Sequence, residues 1–373
     1  MSVMSSRPAL RWLVPAAAVA VVVGGGAAVG TLAATAEPSL PPRTAQQLLV
    51  DLQTARLDGL SGTVVQSADL GLPKLPNLSG GGSGTADITS LLTDTNTLRV
   101  WYSGPDKTRV ALMGTLGETD VIRNGKDVWL WSSKANKATH RTISDADAQA
   151  HQLPNDLPIT PQEAADKALA AVDPSTEVSV GRSATIAGRD AYELVLAPRD
   201  KTSLVGQVRI AIDATEHVPL RLEVYPKGSD QTAFQIAFTQ VDFARPDDEQ
   251  FRFNPPPGAA VEEETGTPEA DKPDAGLPGH RDGAKTPEEA GLSTVGSGWT
   301  TVMVVKGDGK QAEGAEASQA AQVFKALTPV SGAWGSGHLL SGRLFSALIT
   351  DSGNIYAGLV SPERLYEVAL ENK

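Results

Sequence analysis

Cysteine is absent from all 373 residues. That excludes disulfides, thiol catalysis, cysteine–zinc sites and a diacylglyceryl anchor on an N-terminal cysteine. It does not place the chain in the cytoplasm, because export does not require disulfides. A basic excess is absent as well: 32 Lys and Arg stand against 44 Asp and Glu, for a net charge of -12. Such a chain repels phosphate backbones, so nucleic acid is not an expected partner. Histidine is scarce, and none of His140, His151, His217, His280 and His338 sits in an HExxH or other paired-ligand spacing. No metal site is expected. No G-x-S-x-G elbow exists: Gly335-Ser336-Gly337 lacks its frame, and Gly307-Asp308-Gly309-Lys310 lacks the Gly-Lys-Ser/Thr ending of a phosphate loop. The expectation is a protein with no catalytic residues and no cofactor, not an enzyme.

One long apolar run is present, at the N-terminus. Arg7 and Arg11 precede a stretch with no charge until Glu37. Export follows, with the basic end on the cytoplasmic side. Ala34-Thr35-Ala36 offers a cleavage site, while the length of the run suits a membrane span. Residues 1–36 therefore read as a signal peptide or an N-terminal membrane anchor, and the protein as extracytoplasmic, anchored to the cell membrane or secreted.

Thr44 can cap a helix over AQQLLVDLQTARLDGL, with Gly59 as its stop. A strand, SGTVVQSA, follows. Residues 69–97 then mix helix breakers with leucines. A plain linker would be polar; this one reads either as a disordered insertion with incidental leucines or as a mobile lid over an apolar site, carrying Leu72, Leu75, Leu78, Ile88 and Leu91. From Leu98 the pattern turns to strands: TLRVWYSG, KTRVALMG, ETDVIRNG and DVWLWSS. A second helix, QEAADKALAAV, opens on the capping box Thr160–Glu163. About six more strands end at FRFNPPPG. With no βαβ alternation, the sheet should be antiparallel and the class α+β.

Residues 261–290 are acidic and proline-rich, a solvated linker. It separates a first domain, 37–260, from a small C-terminal α+β domain, 291–373. In the latter GWTTVMVVKG reads as a strand and EASQAAQVFKAL as a helix. HLLSGRLFSALIT and NIYAGLV form a hairpin around Asp351–Asn354, and SPERLYEVAL is a closing helix.

Several strands are apolar on both faces, where a half-solvated sheet would alternate. Ordinary core accounts for most such residues. A long antiparallel sheet that curls on itself accounts for the excess: its concave face would line a cavity, plugged by helices and lid. The candidate lining residues are Trp101, Val121, Trp129, Trp131, Leu194, Leu196, Ile210, Leu222, Phe234 and Phe238. The hairpin at Asn124-Gly125 admits two loop lengths. A three-residue turn, Asn124-Gly125-Lys126, matches charge with charge and apolar with apolar across the strands. It predicts one face with Val121, Trp129 and Trp131, and another with Ile122, Val128 and Leu130. The tryptophan face is expected to meet the cavity.

In AQQLLVDLQTARLDGLSGTVVQ, NGKDVWLWSS, AGRDAYELVLAP, IDATEHVPLRLEV and FRFNPPPGAAVEE, taken in order, the chain resembles the LolA/LolB and LppX/LprG superfamily of lipoprotein and lipid carriers, with RseB (MucB) as a two-domain relative. The likeness runs from Thr44 to Glu264. It implies a half-open β-barrel around helices that holds acyl chains in a hydrophobic cavity without catalysis. The partners implied are lipid or lipoprotein acyl chains and the cell membrane. The chain departs from the soluble carriers in its N-terminal run, the Gly80–Gly84 insertion and its tail. The tail suits the RseB layout, which implies an alternative: an envelope-stress regulator whose C-terminal domain binds a membrane anti-sigma factor.

Overall fold

A computed structural model describes residues 38–72, 95–114, 117–143, 160–162, 174–264, 292–307 and 327–372. The N-terminal run, Leu75, Leu78, Ile88, Leu91, the second helix from Glu163 on, the linker beyond Glu264 and the helix expected over 316–326 lie outside the described residues. No described helix is long and apolar enough to cross a membrane.

Helix α1 spans Ala45–Thr54. Thr44 caps it as expected. Its hydroxyl accepts from the Gln47 amide at 3.2 Å, and the Gln47 side chain accepts from the Thr44 amide at 2.9 Å. This reciprocal box satisfies two otherwise orphaned donors. Leu48 and Leu52, four apart, share the buried face. The helix ends before Gly59, whose role is different. A Cβ there would lie 2.4 Å from the Arg245 Cα, so Gly59 lets two backbones pass in close contact.

The strands are β1 (Leu60–Ala68), β2 (Thr95–Tyr102), β3 (Lys107–Gly114), β4 (Gly117–Asn124), β5 (Asp127–Ser132), β6 (Lys137–Thr142), β7 (Thr176–Val180), β8 (Ala184–Ile186), β9 (Arg189–Pro198), β10 (Val205–Asp213), β11 (Pro219–Pro226), β12 (Phe234–Asp242) and β13 (Ala260–Glu264). They form one 13-stranded sheet in the order β13-β6-β5-β4-β3-β2-β1-β12-β11-β10-β9-β7, with β8 on β9. Its pairings are antiparallel, as expected, except that β13 runs parallel to β6. The sheet does not close: β13 and β7 are its two ends. Twisted open sheets of this width commonly curl. A local bend is expected at the register shift between Thr63 and Val64 in β1. Beside it, Gly62 lies under Phe238, whose ring carbons would be 2.9 Å from an added Cβ.

Two expectations change at the end of this sheet. FRFNPPPG is not a strand: Asp248–Phe251 is a 3-10 turn, and no strand covers the segment after it. Prolines have no N–H for a ladder. The closing strand is β13, and its Val261 to Glu264 had read as the start of the linker.

The remaining strands are β14 (Leu292–Val295), β15 (Val302–Val305), β16 (Thr328–Gly332), β17 (Gly335–Ser341), β18 (Ser346–Thr350) and β19 (Ile355–Gly358). They form a second sheet, in the order β14-β15-β19-β18-β17-β16. The hairpin β18–β19 turns through Asp351–Asn354 as expected. GWTTVMVVKG is strand only from Val302, because Gly298–Thr300 is a 3-10 turn. HLLSGRLFSALIT is two strands, β17 and β18, rather than one. Helix α2 (Pro362–Glu371) has proline in its first turn. Leu365 and Val368 of α2, both fully buried, share a cluster with Val302, Val304, Leu348 and Tyr356.

Candidate functional site

Register decides which residues of the large sheet share a face, because directly paired residues point to the same side. On one face Val64 lies beside Leu98, Val100 beside Val110, Ile236 beside Leu222, and Ile210 beside both Leu222 and Leu194. These residues form one buried cluster with Leu48 and Leu52 of α1. The same face continues past the cluster: Val121 pairs with Val110, and Leu130 pairs with Val121. Val121, Val128 and Leu130 are only half-buried. The apolar surface therefore extends further along the sheet than its buried core.

The opposite face of β2 to β6 is built differently. Trp101 pairs with Arg109, Arg109 with Ile122, Ile122 with Trp129, and Trp129 with His140. Asp120 pairs with Trp131. The Trp129 ring stacks on His140 with centroids 4.2 Å apart and planes at 22°. Phe253 covers both tryptophans, 5.2 Å from Trp129 and 5.8 Å from Trp131. Arg109 lies 5.2 Å over the Trp101 ring and reaches Asp120 at 2.5 Å. Asp120 is buried at 2% exposure, so this charge needs its partner. Glu118 is pushed above its ordinary value by its hydrogen bond with Asp120, then by burial and by the charge of Asp120; Arg109 and Arg99 oppose this.

These pairings correct the expected hairpin. The turn has two residues, Gly125-Lys126, with Asn124 paired to Asp127 in the ladder. Gly125 takes φ +64° at the first loop position, a type II′ arrangement. The slip moves Ile122 to the tryptophan face and Val121 away from it. Trp101, Trp129 and Trp131 thus lie opposite the face that α1 covers, beneath the segment that ends in Phe253. Their grouping with Val121 does not hold. Leu194, Leu196, Ile210, Leu222 and Phe238 are buried on the α1 face, with Phe234 half-buried against the same cluster. Leu72 is half-buried at the last described position before residue 73.

The sequence did not point to the contacts between the two sheets. Arg343, in the turn between β17 and β18, bonds Asp69 Oδ2 at 2.6 Å and the carbonyl of Gln231 at 3.1 Å. Its amide donates to the carbonyl of Leu70 at 2.7 Å. The Trp299 indole donates to the Thr176 hydroxyl at 2.8 Å and is buried in the cluster of the large sheet. The Leu204 amide donates to the carbonyl of Leu359 at 2.9 Å. These contacts reach the segment after β1, the β11–β12 turn and the start of β10.

Residues 90–257 match the model of the MucB/RseB N-terminal domain. Among solved structures, a chain of the Pseudomonas aeruginosa MucA/MucB complex is similar at 15% identity and a TM-score of 0.41, covering 87% of this chain and 97% of that one. A structure of MucB in complex with MucA(peri) is similar at 14% identity and a TM-score of 0.42, covering 87% and 97%. A LolA superfamily protein from Nitrosomonas europaea is similar at 12% identity and a TM-score of 0.22, covering 57% and 99%. No curated protein matches this chain.

Proposed function

We propose, from the match of residues 90–257 to the MucB/RseB N-terminal domain model, that the protein is an extracytoplasmic lipid- or lipoprotein-binding protein that holds acyl chains without catalysis. The observation that supports this is the face of the open sheet that runs from the α1 core to Val121, Val128 and Leu130. A curled sheet with an apolar concave face offers long acyl chains a groove, and each buried methylene contributes roughly 0.8 kcal/mol without any polar anchor. The cavity lining proposed from the sequence is shifted to the α1 face. Native mass spectrometry of the exported part after bacterial expression tests the reading. Bound lipid mass, and a melting temperature raised by added lipid, are expected. A clean apo mass with no lipid effect on melting would sink the proposal.

A second reading is favoured by the bonds between the two sheets. A C-terminal domain in contact with the lipid-binding sheet suits a regulator that senses lipid or lipoprotein and binds a membrane protein, with an anti-sigma factor as the partner of an RseB-like layout. Deleting residues 291–373 should abolish capture of that membrane partner and leave lipid binding intact. A partner retained by the truncated protein counts against this reading.

A further inference from the structure

We propose that the outer edge of β6 is a strand-addition site for an extended acidic segment of a partner protein, and that β13 occupies this edge in cis. The proposal goes beyond both readings above and does not depend on lipid binding. β13 is the end strand of the sheet, and its pairing with β6 is parallel where the other described pairings are antiparallel. Its five side chains are exposed, Val261 at 45%, so almost no apolar burial holds it. What holds it is the backbone ladder and charge. Lys137 Nζ meets Glu262 at 2.7 Å, and His140 Nδ1 meets Glu263 at 2.7 Å. Successive strand residues face opposite sides. The Glu262-Glu263 pair therefore places one carboxylate on each face, where Lys137 and His140 stand ready. The His140 ring is braced from behind by Trp129 and bonds Asp127 through Nε2 at 3.2 Å. The strand enters through two bonds with Asn136: its side chain donates to the Gly258 carbonyl at 2.9 Å, and its carbonyl accepts from the Ala260 amide at 3.0 Å.

An edge of this kind binds an added strand through its main chain, and side chains supply the selection. Here the selection is for adjacent acidic residues. A tethered strand competes at high effective concentration, so a free peptide binds well only when β13 is loosened. The test uses the full chain and a fluorescein-labelled peptide of residues 258–264, GAAVEEE, read by fluorescence anisotropy. Glu262→Lys with Glu263→Lys should free the edge and raise peptide affinity at least tenfold over the unaltered chain, with an unchanged circular dichroism spectrum. Adding Lys137→Glu to that variant should abolish binding. Amide exchange gives a second readout: in the unaltered chain β13 should exchange faster than β5. Equal peptide affinity in variant and unaltered chain overturns the proposal. So does equal binding of a peptide with lysines in place of its glutamates. If the variant dimerises instead of taking up peptide, the occupant is a second copy, and the partner proposal is overturned.

Discussion

Trp129 and Leu130 are adjacent on β5 and point to opposite faces, so truncating each in turn tests the face assignment. Trp129→Ala removes a ring stacked on His140 at 4.2 Å and tilted against Phe253 at 5.2 Å. Each aromatic pair contributes about 0.5–1.5 kcal/mol beyond area burial. Full truncation of a buried tryptophan costs roughly 3–5 kcal/mol, and half-burial of Trp129 places it at the low end or just below. A loss of about 2–3 kcal/mol in urea unfolding is expected, with little change in lipid affinity for the folded fraction. Leu130→Ala removes about three carbons at roughly 0.8 kcal/mol each when buried. Leu130 is half-buried without ligand, so about half of that, near 1.2 kcal/mol, is available to an acyl chain. This predicts an affinity about sevenfold weaker for a fluorescent fatty acid, by titration at a temperature where both variants are folded. The opposite outcome, with Trp129→Ala weakening lipid uptake at little cost in stability and Leu130→Ala leaving uptake unchanged, would refute the assignment.

Three further outcomes follow from particular contacts. Partial burial opposes charging of His140, but its bonds to Glu263 and Asp127 and the charges of both carboxylates outweigh it, so its pKa is raised. The imidazolium alone can donate to both carboxylates. Its contribution is therefore complete below the unfolded value of about 6.5, while the carboxylates stay ionised, and is lost as pH rises through the folded value. Because Glu263 is largely exposed, this is worth no more than about 1 kcal/mol; NMR titration of the His140 ring together with β13 amide exchange should show protection falling over that window, and a folded pKa below 6.5 would contradict it. Arg343→Ala removes the bonds to Asp69 and Gln231. A loss of about 1–2 kcal/mol and a separate, earlier melting step for the second sheet in calorimetry are expected, whereas an unchanged single transition would count against Arg343 as a coupling residue. Gly62→Ala places a Cβ 2.5 Å from the Gln240 carbonyl oxygen and 2.9 Å from Phe238; overpacking should cost about 1–3 kcal/mol in urea unfolding, and a neutral result would mean the β1 bulge yields freely.

Local signals were legible where one residue's own chemistry decides the outcome. Thr44 with Gln47 shows both bonds of a capping box. Alternating apolar residues such as Leu194, Leu196, Ile210 and Leu222 were buried on one face, as their period requires. Signals that depend on a third strand were not legible. The hairpin register was inferred by matching Arg123 with Asp127 across two strands, but the acid that needed a partner was Asp120, and its cation is Arg109 on β3. No pairwise reading of β4 against β5 contains that term. The aromatic FRFNPPPG likewise suggests a strand, yet its prolines keep it out of a ladder, and Phe253 is used instead as a cover for the tryptophans. The ladder is taken up by AVEEE, whose composition alone says linker and whose strand state depends on Lys137 and His140 meeting Glu262 and Glu263 from another part of the chain. Intrinsic preference and tertiary context point in opposite directions there. A strand formed only by its docking site is one that a better-matched strand can replace, and this conflict locates the exchangeable element at β13 rather than at the well-buried β9 or β10.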